Sequence, residues 1–184
     1  MITAATLSLS KFHDRVGLGF DREMAEEEEF EMFLRSYQNM VFSVAARIVG
    51  NLTDAEDITQ EVFIRAYDRF KELRNSGTVG GWLKTVATNL SINHLNRYRA
   101  RWRFFSEQAE PVEIVAEVER ETDRKEALEL AIRKLPDAQR VALVLFHFQE
   151  MSYEEIAAKL EVSLAKVKSD LYRGRENLKK LVMK

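Results

Sequence analysis

Between Ser152 and Arg175 the side chains able to do chemistry are of the kind that meet nucleic acid: Lys166, Lys168, Ser169, Tyr172, Arg173 and Arg175. Ammonium and guanidinium groups neutralise phosphates, and arginine, lysine and hydroxyl side chains also bond base edges. A second concentration, NRYRARWRFF, runs from Asn96 to Phe105, with arginines at every second position and Tyr98 and Trp102 between them. Taken alone, a period of two predicts a strand with one charged face. As the end of a helix, at about 100° per residue, the same residues rearrange. Arg97 with Arg101 and Arg99 with Arg103 then make two basic stripes flanking an aromatic strip. That surface suits a melted or distorted DNA strand, with guanidiniums on phosphates and a ring for stacking. The rival arrangement packs Trp102 against the body and leaves only the arginines to meet DNA.

Other chemistries find little support. The chain has no cysteine, which removes disulfides, thiolate zinc sites and cysteine nucleophiles and fits a reducing cytoplasm. No glycine-rich phosphate loop or nucleophile motif is present. His13, His94 and His147 lie far apart without ligand spacing, so no metal or cofactor is expected; His147, between Phe146 and Phe148, reads as partly buried or at an interface. Nor is there an apolar run of the ~18–20 residues that a membrane span needs, or the apolar core of a secretory signal.

The net charge of −2 would argue against a nucleic-acid partner if charge were evenly spread. It is segregated instead. The four arginines of 97–103 have no acid among them, and residues 166–184 hold seven Lys/Arg against two acids. The opposing charge sits in Glu26–Glu29 and in the acidic stretch from Glu107 to Glu121. Two basic patches on an acidic chain are steering surfaces.

The elements that must position these residues are helical. Glycine and proline are scarce, at 7 and 2 of 184 residues, which favours long helices and short turns. Phe30, Phe33, Leu34, Tyr37, Val41, Val44, Ala45 and Ile48 recur at three and four, an amphipathic helix ending near Gly50-Asn51. Thr53-Asp54-Ala55-Glu56 matches a capping box with Thr53 at the cap. The helix it opens shows Ile58, Val62, Phe63, Ala66 and Phe70 and fades around Asn75-Ser76-Gly77. A third helix begins near Val79–Trp82 and runs into the arginine stretch; Trp82 reads as core beside Leu83 and Val86.

After a linker, Leu128, Ile132 and Leu135 resume the pattern. Pro136 suits a helix first turn, and Ser152-Tyr153-Glu154-Glu155 makes a second capping box. Ser163 can cap the last helix. Ile156, Ala157 and Leu160, a turn at Glu161-Val162-Ser163, and Val167 with Leu171 make a helix-turn-helix whose second helix can enter a major groove. Lys166, Lys168, Ser169, Asp170, Tyr172, Arg173 and Arg175 then point outward; the alternative is a helical hairpin with a solvated basic face. The expected fold is all-α: an extension (1–24), a helical domain (25–105), an acidic linker (106–121) and a second helical domain (122–184).

Four motifs in this order resemble one family. Asp54-Ala55-Glu56-Asp57-Ile58-Thr59-Gln60-Glu61-Val62-Phe63 is similar to the polymerase-binding signature in domain 2 of bacterial sigma factors. Gly81-Trp82-Leu83 with Ala87-Thr88-Asn89-Leu90 resembles a segment of the extracytoplasmic-function (ECF) group. Leu135-Pro136, Ser152 to Ala157 and Tyr172 to Glu176 look like that group's domain 4. The resemblance covers roughly 27–103 and 125–182.

It implies an alternative sigma factor, which binds core RNA polymerase, directs it to promoters and helps melt DNA, with no catalytic residue of its own. Asp54, Asp57, Gln60 and Glu61 would dock on the clamp helices of the largest subunit, presenting acceptors mostly from one helical face; an acidic helix start favoured by the macrodipole is the plainer account of Asp54. Asn89 would read an extruded base of the −10 element, with Asn93, His94, Arg97, Tyr98 and Arg101 around it. Lys166, Lys168, Ser169, Tyr172, Arg173 and Arg175 would meet the −35 element, in a domain that reaches the polymerase flap. Promoter DNA and a cognate, often membrane-linked, anti-sigma factor are the other implied partners; no small-molecule substrate is. The competing reading is a helix-turn-helix regulator that acts without joining polymerase, in which the Asp54–Glu61 signature has no role.

Two positions depart from the family pattern. Asp170 stands where many relatives have arginine, which leaves the −35 preference open: it can accept from a cytosine amino group, pair with Lys166 or Arg173, or point away from DNA, and the intrahelical pair is favoured. Glu161 occupies a turn position where glycine is common, so a positive φ there would carry modest strain.

Overall fold

The structure, a computed structural model, describes the backbone of residues 5–103 and 124–182 and the side chains of residues 26–97 and 126–182. Among them there are eight helices and no strand: α1 (Ala5–Val49), α2 (Leu52–Asp68), α3 (Phe70–Leu73), α4 (Val79–Arg103), α5 (Arg124–Arg133), α6 (Asp137–Phe148), α7 (Tyr153–Leu160) and α8 (Leu164–Val182). The acidic stretch expected to be a linker lies wholly outside the described residues.

The N-terminal body is α1, α2 and α4 around one core. The apolar stripe of α1 faces inward: Val41, Val44, Ala45 and Ile48 are buried, with Phe30, Phe33, Leu34 and Tyr37 packed against the same core. Ala55, Ile58, Val62, Phe63 and Ala66 line α2, and Leu83, Ala87, Leu90 and Leu95 line α4. Aromatic edges close one end, where Phe33 meets Phe63 and Phe70 at centroid distances of 6.3 and 5.4 Å and Phe30 meets Tyr67 at 4.9 Å. α1 is unbroken from Ala5, so its helix crosses the expected boundary between extension and domain. Trp82 is half-buried against the core, and α4 continues through Arg103, which settles the arginine stretch as helix rather than strand.

Two local expectations change. The cap of α2 is Asn51, not Thr53: its Oδ1 accepts from the backbone N–H of Thr53 and Asp54, at 2.8 and 3.3 Å. Both residues are good caps, but the chain leaves α1 through Gly50 at φ +77°, so the next residue is already extended and begins the helix two positions early. α2 also stops at Asp68, and the single turn α3 follows before the Asn75–Gly77 break.

The C-terminal unit is α5–α8. In α6, Arg140 to Leu145 are buried without interruption. One neighbour cannot cover six successive positions, which point all round a helix. α6 packs on α8 on one side and on α1 on the other. On the α8 side the approach is close at Gly174, where a Cβ would lie 2.8 Å from Leu143 Cδ1. The two units are therefore packed together, and Ile48, Leu83, Leu145, Ile156 and Leu171, all at most 1% exposed, belong to one continuous apolar cluster. Burying each is worth about 1.5–3 kcal/mol.

Candidate nucleic-acid and polymerase interface

On α2 the expected polymerase-binding residues divide. Asp57 and Gln60 are exposed. Glu61 accepts from Arg65 Nε at 2.8 Å, one turn on. Asp54 turns to the neighbouring helix, its Oδ2 3.4 Å from His94 Nε2. Gln60 borders a shallow groove between α1 and α2 with Gln38, Asn39, Phe42, Glu56 and Thr59. Two side chains missed in the sequence extend the surface: Ile64 and Tyr67 are 59% and 53% exposed. With Asp57 and Gln60 they stand at i, i+3, i+7 and i+10, one face of α2. Their spacing was legible, but periodicity alone assigns apolar residues to cores.

On α4, Asn89, Asn93 and Arg97 are exposed and follow one another at intervals of four, a ribbon along the helix. His94 is half-buried toward Asp54. Tyr98 and Arg101 lie on the same helix, as does Trp102, with side chains outside the described residues. Asn89 is not open to solvent alone: Lys159 Nζ, on α7, donates to its Oδ1 at 2.6 Å. The amide oxygen that would accept from a base edge is held by the other half of the chain.

The α7–α8 pair forms as its local chemistry requires. Ser152 Oγ accepts from the Glu155 N–H at 3.2 Å, and the Glu155 carboxylate accepts from the Ser152 N–H at 2.7 Å and its hydroxyl at 2.8 Å. Those bonds, the backbone one first, hold the Glu155 carboxyl below the usual carboxylate range. Glu161 ends α7 in the left-handed region at φ 54°, and the Val162 N–H reaches Ala157 O at 3.1 Å, a closing turn that satisfies the last carbonyls. Ser163 Oγ accepts from the Lys166 N–H at 3.2 Å and so starts α8. Ile156, Val167 and Leu171 seal the two helices together.

Of the expected −35 residues, Lys166, Lys168, Tyr172, Arg173 and Arg175 are exposed, Tyr172 at 69%, and Ser169 is half-buried. Lys166 is drawn back: its ammonium bonds both carboxylate oxygens of Asp170. Asp170 does not point outward as expected; it is 9% exposed, and the intrahelical ion pair with Lys166 is the reason a buried carboxylate is tolerated. Arg175 lies over the Phe146 ring at 5.3 Å. His147, expected to be partly buried or at an interface, is exposed; desolvation against its neighbours and then the Arg175 charge keep its pKa below the ordinary value.

Sequence reasoning missed Arg140 altogether. It is 4% exposed and donates to the carbonyls of Ile48 (3.1 Å) and Val49 (2.8 Å) at the end of α1, and to Leu135 O (2.8 Å) and Asp137 Oδ1 (2.7 Å). A Cβ on Gly50 would lie 2.7 Å from its Cζ, so Gly50 is required for space as well as for φ. The available signal was the run of apolar residues on every face of α6, which demands a second neighbour. Among the described residues no group of three or more His, Cys, Asp or Glu could hold a metal ion, and no helix is long and apolar enough to cross a membrane.

Known proteins share this arrangement. The Sigma-70 region 2 family matches residues 33–102 and the Sigma-70 region 4 family residues 125–178. The ECF RNA polymerase sigma factor SigW of Bacillus subtilis is 32% identical over 167 residues, covering 84% of this chain and 89% of that one. The ECF RNA polymerase sigma factor SigE of Mycolicibacterium smegmatis is 34% identical over 174 residues; the match covers 88% of this chain but 65% of that longer relative. A similar fold, with a TM-score of 0.53 at 21% identity, occurs in the sigma factor RpoE of Bartonella quintana, solved in complex with the anti-sigma factor NepR; it covers 85% of this chain and 98% of that one. Regions 2 and 4 in this order define a sigma factor of RNA polymerase. The chain belongs to the extracytoplasmic-function group of that family.

Proposed function

We propose that this chain is an alternative sigma factor that joins core RNA polymerase, brings it to promoters by −35 and −10 recognition, and assists melting at the −10 element. The observation that carries the reading is the presence, in one chain, of sigma regions 2 and 4 on two helical units that each present an exposed basic or amide-bearing helix. Asp57, Gln60 and Glu61, with Asp54 at the border, supply acceptors for basic residues on the polymerase clamp helices, and Ile64 and Tyr67 add apolar contact. Asn89 reads a flipped −10 base through its amide, flanked by Asn93, His94, Arg97, Tyr98 and Arg101. Lys168, Ser169, Tyr172 and Arg173 lead the −35 contact, joined by Lys166 and Arg175 once they leave Asp170 and Phe146.

In this role the chain supplies no catalytic group, since nucleotide addition belongs to the polymerase, and it works in the cytoplasm where polymerase and promoters are. An anti-sigma factor is the proposed negative partner. Run-off transcription with core polymerase on genomic fragments, followed by start-site mapping, tests the reading. Initiation at a defined set of promoters is expected. Tight operator binding with no polymerase association would instead establish a plain helix-turn-helix regulator.

A further inference from the structure

We infer that Asp170 is a positioning residue of the recognition helix: it holds the Lys166 ammonium out of non-specific DNA binding and yields it only at the −35 element. The inference deepens the function proposed above and rests on it for the role of that element.

Lys166 stands in the first turn of α8, where Ser163 Oγ accepts from its backbone N–H. In a helix-turn-helix the N-terminal residues of the second helix meet the base edges, so this ammonium is among the groups that enter the groove. A cation is disfavoured in a first turn, at the positive end of the helix dipole. Asp170, one turn on, offsets this by bonding the ammonium with both carboxylate oxygens. Two of the three ammonium donors are thereby taken. Lys168 and Arg173 on the same helix are exposed and form no ion pair among the described residues. Phosphates of arbitrary sequence therefore meet those two side chains first.

The carboxylate resists losing its partner. It borders a small cavity walled by Ile92 and Leu95 of α4 and by Ala138, Val141 and Ala142 of α6. Lifting Lys166 away leaves a charge unpaired beside apolar groups, which is strongly unfavourable, whereas an exposed pairing with one phosphate returns little. A guanine edge offers more, because O6 and N7 are two acceptors in place of the two carboxylate oxygens. Lys166 thus stays on Asp170 over arbitrary sequence and exchanges acceptors where the −35 element presents guanine.

Binding of the full chain to a short mixed-sequence duplex, followed by fluorescence anisotropy over a salt series, tests the restraint without polymerase. Each phosphate neutralised adds about 0.9 to the slope of log affinity against log salt. Asp170→Asn keeps the shape of the side chain and frees the ammonium. It should raise non-specific affinity several-fold and steepen the slope by about 0.9, so that going from about 50 to 200 mM salt weakens this variant about 3.5-fold more than wild type. Lys166→Met/Asp170→Asn exchanges a neutralised pair for an uncharged one of similar shape. It should bind the duplex with the wild-type affinity and slope, yet lower run-off transcription by the complex with core polymerase several-fold at promoters the wild type uses. The inference is overturned if Asp170→Asn leaves the slope unchanged, if the double variant flattens it below wild type, which places the ammonium on phosphates already, or if the double variant initiates as well as wild type. Should the wild type itself initiate nowhere, the function reading falls and takes the −35 half of this inference with it, while the duplex series still decides whether Asp170 holds Lys166 off phosphates.

Discussion

Asn89 has one observed partner and one proposed partner for the same atom. Its amide oxygen accepts from Lys159 and is the group proposed to meet a flipped base. Replacing Asn89 by Ala should reduce open-complex formation about ten-fold, in line with the ~1–3 kcal/mol of a good amide–base pair, while affinity for core polymerase stays unchanged; permanganate footprinting beside a core-binding titration separates the two. Glu155 carries a different kind of bond. Its carboxyl is held below its ordinary pKa by the Ser152 backbone N–H and hydroxyl. A depressed carboxylate contributes stability that is present above the ordinary value and lost as pH falls through the depressed one. Glu155→Gln should therefore lower the thermal midpoint at pH 7 and shrink the difference between wild type and variant as pH falls below about 4, read by circular dichroism. The capping box itself was legible, because its partners lie three residues apart. Arg140 was not, because an arginine in a helix reads as surface charge until its acceptors, 91 and 92 residues away, are brought to it.

The helices differ in how far their own residues determine them. α7 has its cap, its inner Ile156 and its closing residue within one short segment. Glu161 nevertheless sits at φ 54°, where a Cβ is unfavourable. Glu161→Gly should stabilise the protein by about 0.5–1 kcal/mol by chemical denaturation, the relief of strain exceeding the entropy that glycine adds to the unfolded chain. Where α8 crosses α6, Gly174 lets the backbones approach, and Gly174→Ala would set a methyl 2.8 Å from Leu143 Cδ1. Overpacking of this sort costs about 1–3 kcal/mol, so a lowered midpoint and weaker −35 DNA binding are expected together. α2 presents the opposite case: its inner face followed from periodicity, whereas the exposure of Ile64 and Tyr67 depends on which neighbours stop short of them.

At the scale of the whole molecule, the two helical units share one apolar cluster and a buried guanidinium. The free chain should accordingly unfold in a single calorimetric transition. Arg140→Gln removes the charged donor from the α1 carbonyls; with about 2–3 kcal/mol lost from bonds to a charged group, the transition should broaden or divide into two. A single unshifted transition would show that the units do not depend on this residue for their union.

By itself the sequence determined the helices, their caps within a residue or two, the helix-turn-helix and the two basic helices proposed to meet nucleic acid. Each is written in spacings of three, four or seven residues, distances over which a helix brings side chains together whatever surrounds it. Only the tertiary structure decided that Asp170 is buried on Lys166, that Asp54 turns to His94, and that Lys159 and Arg140 close one unit over the other. Apart from Lys166–Asp170, those contacts join residues 40 to 92 positions apart in the chain. No local period encodes them, because they depend on where whole helices come to rest once their apolar faces have found each other.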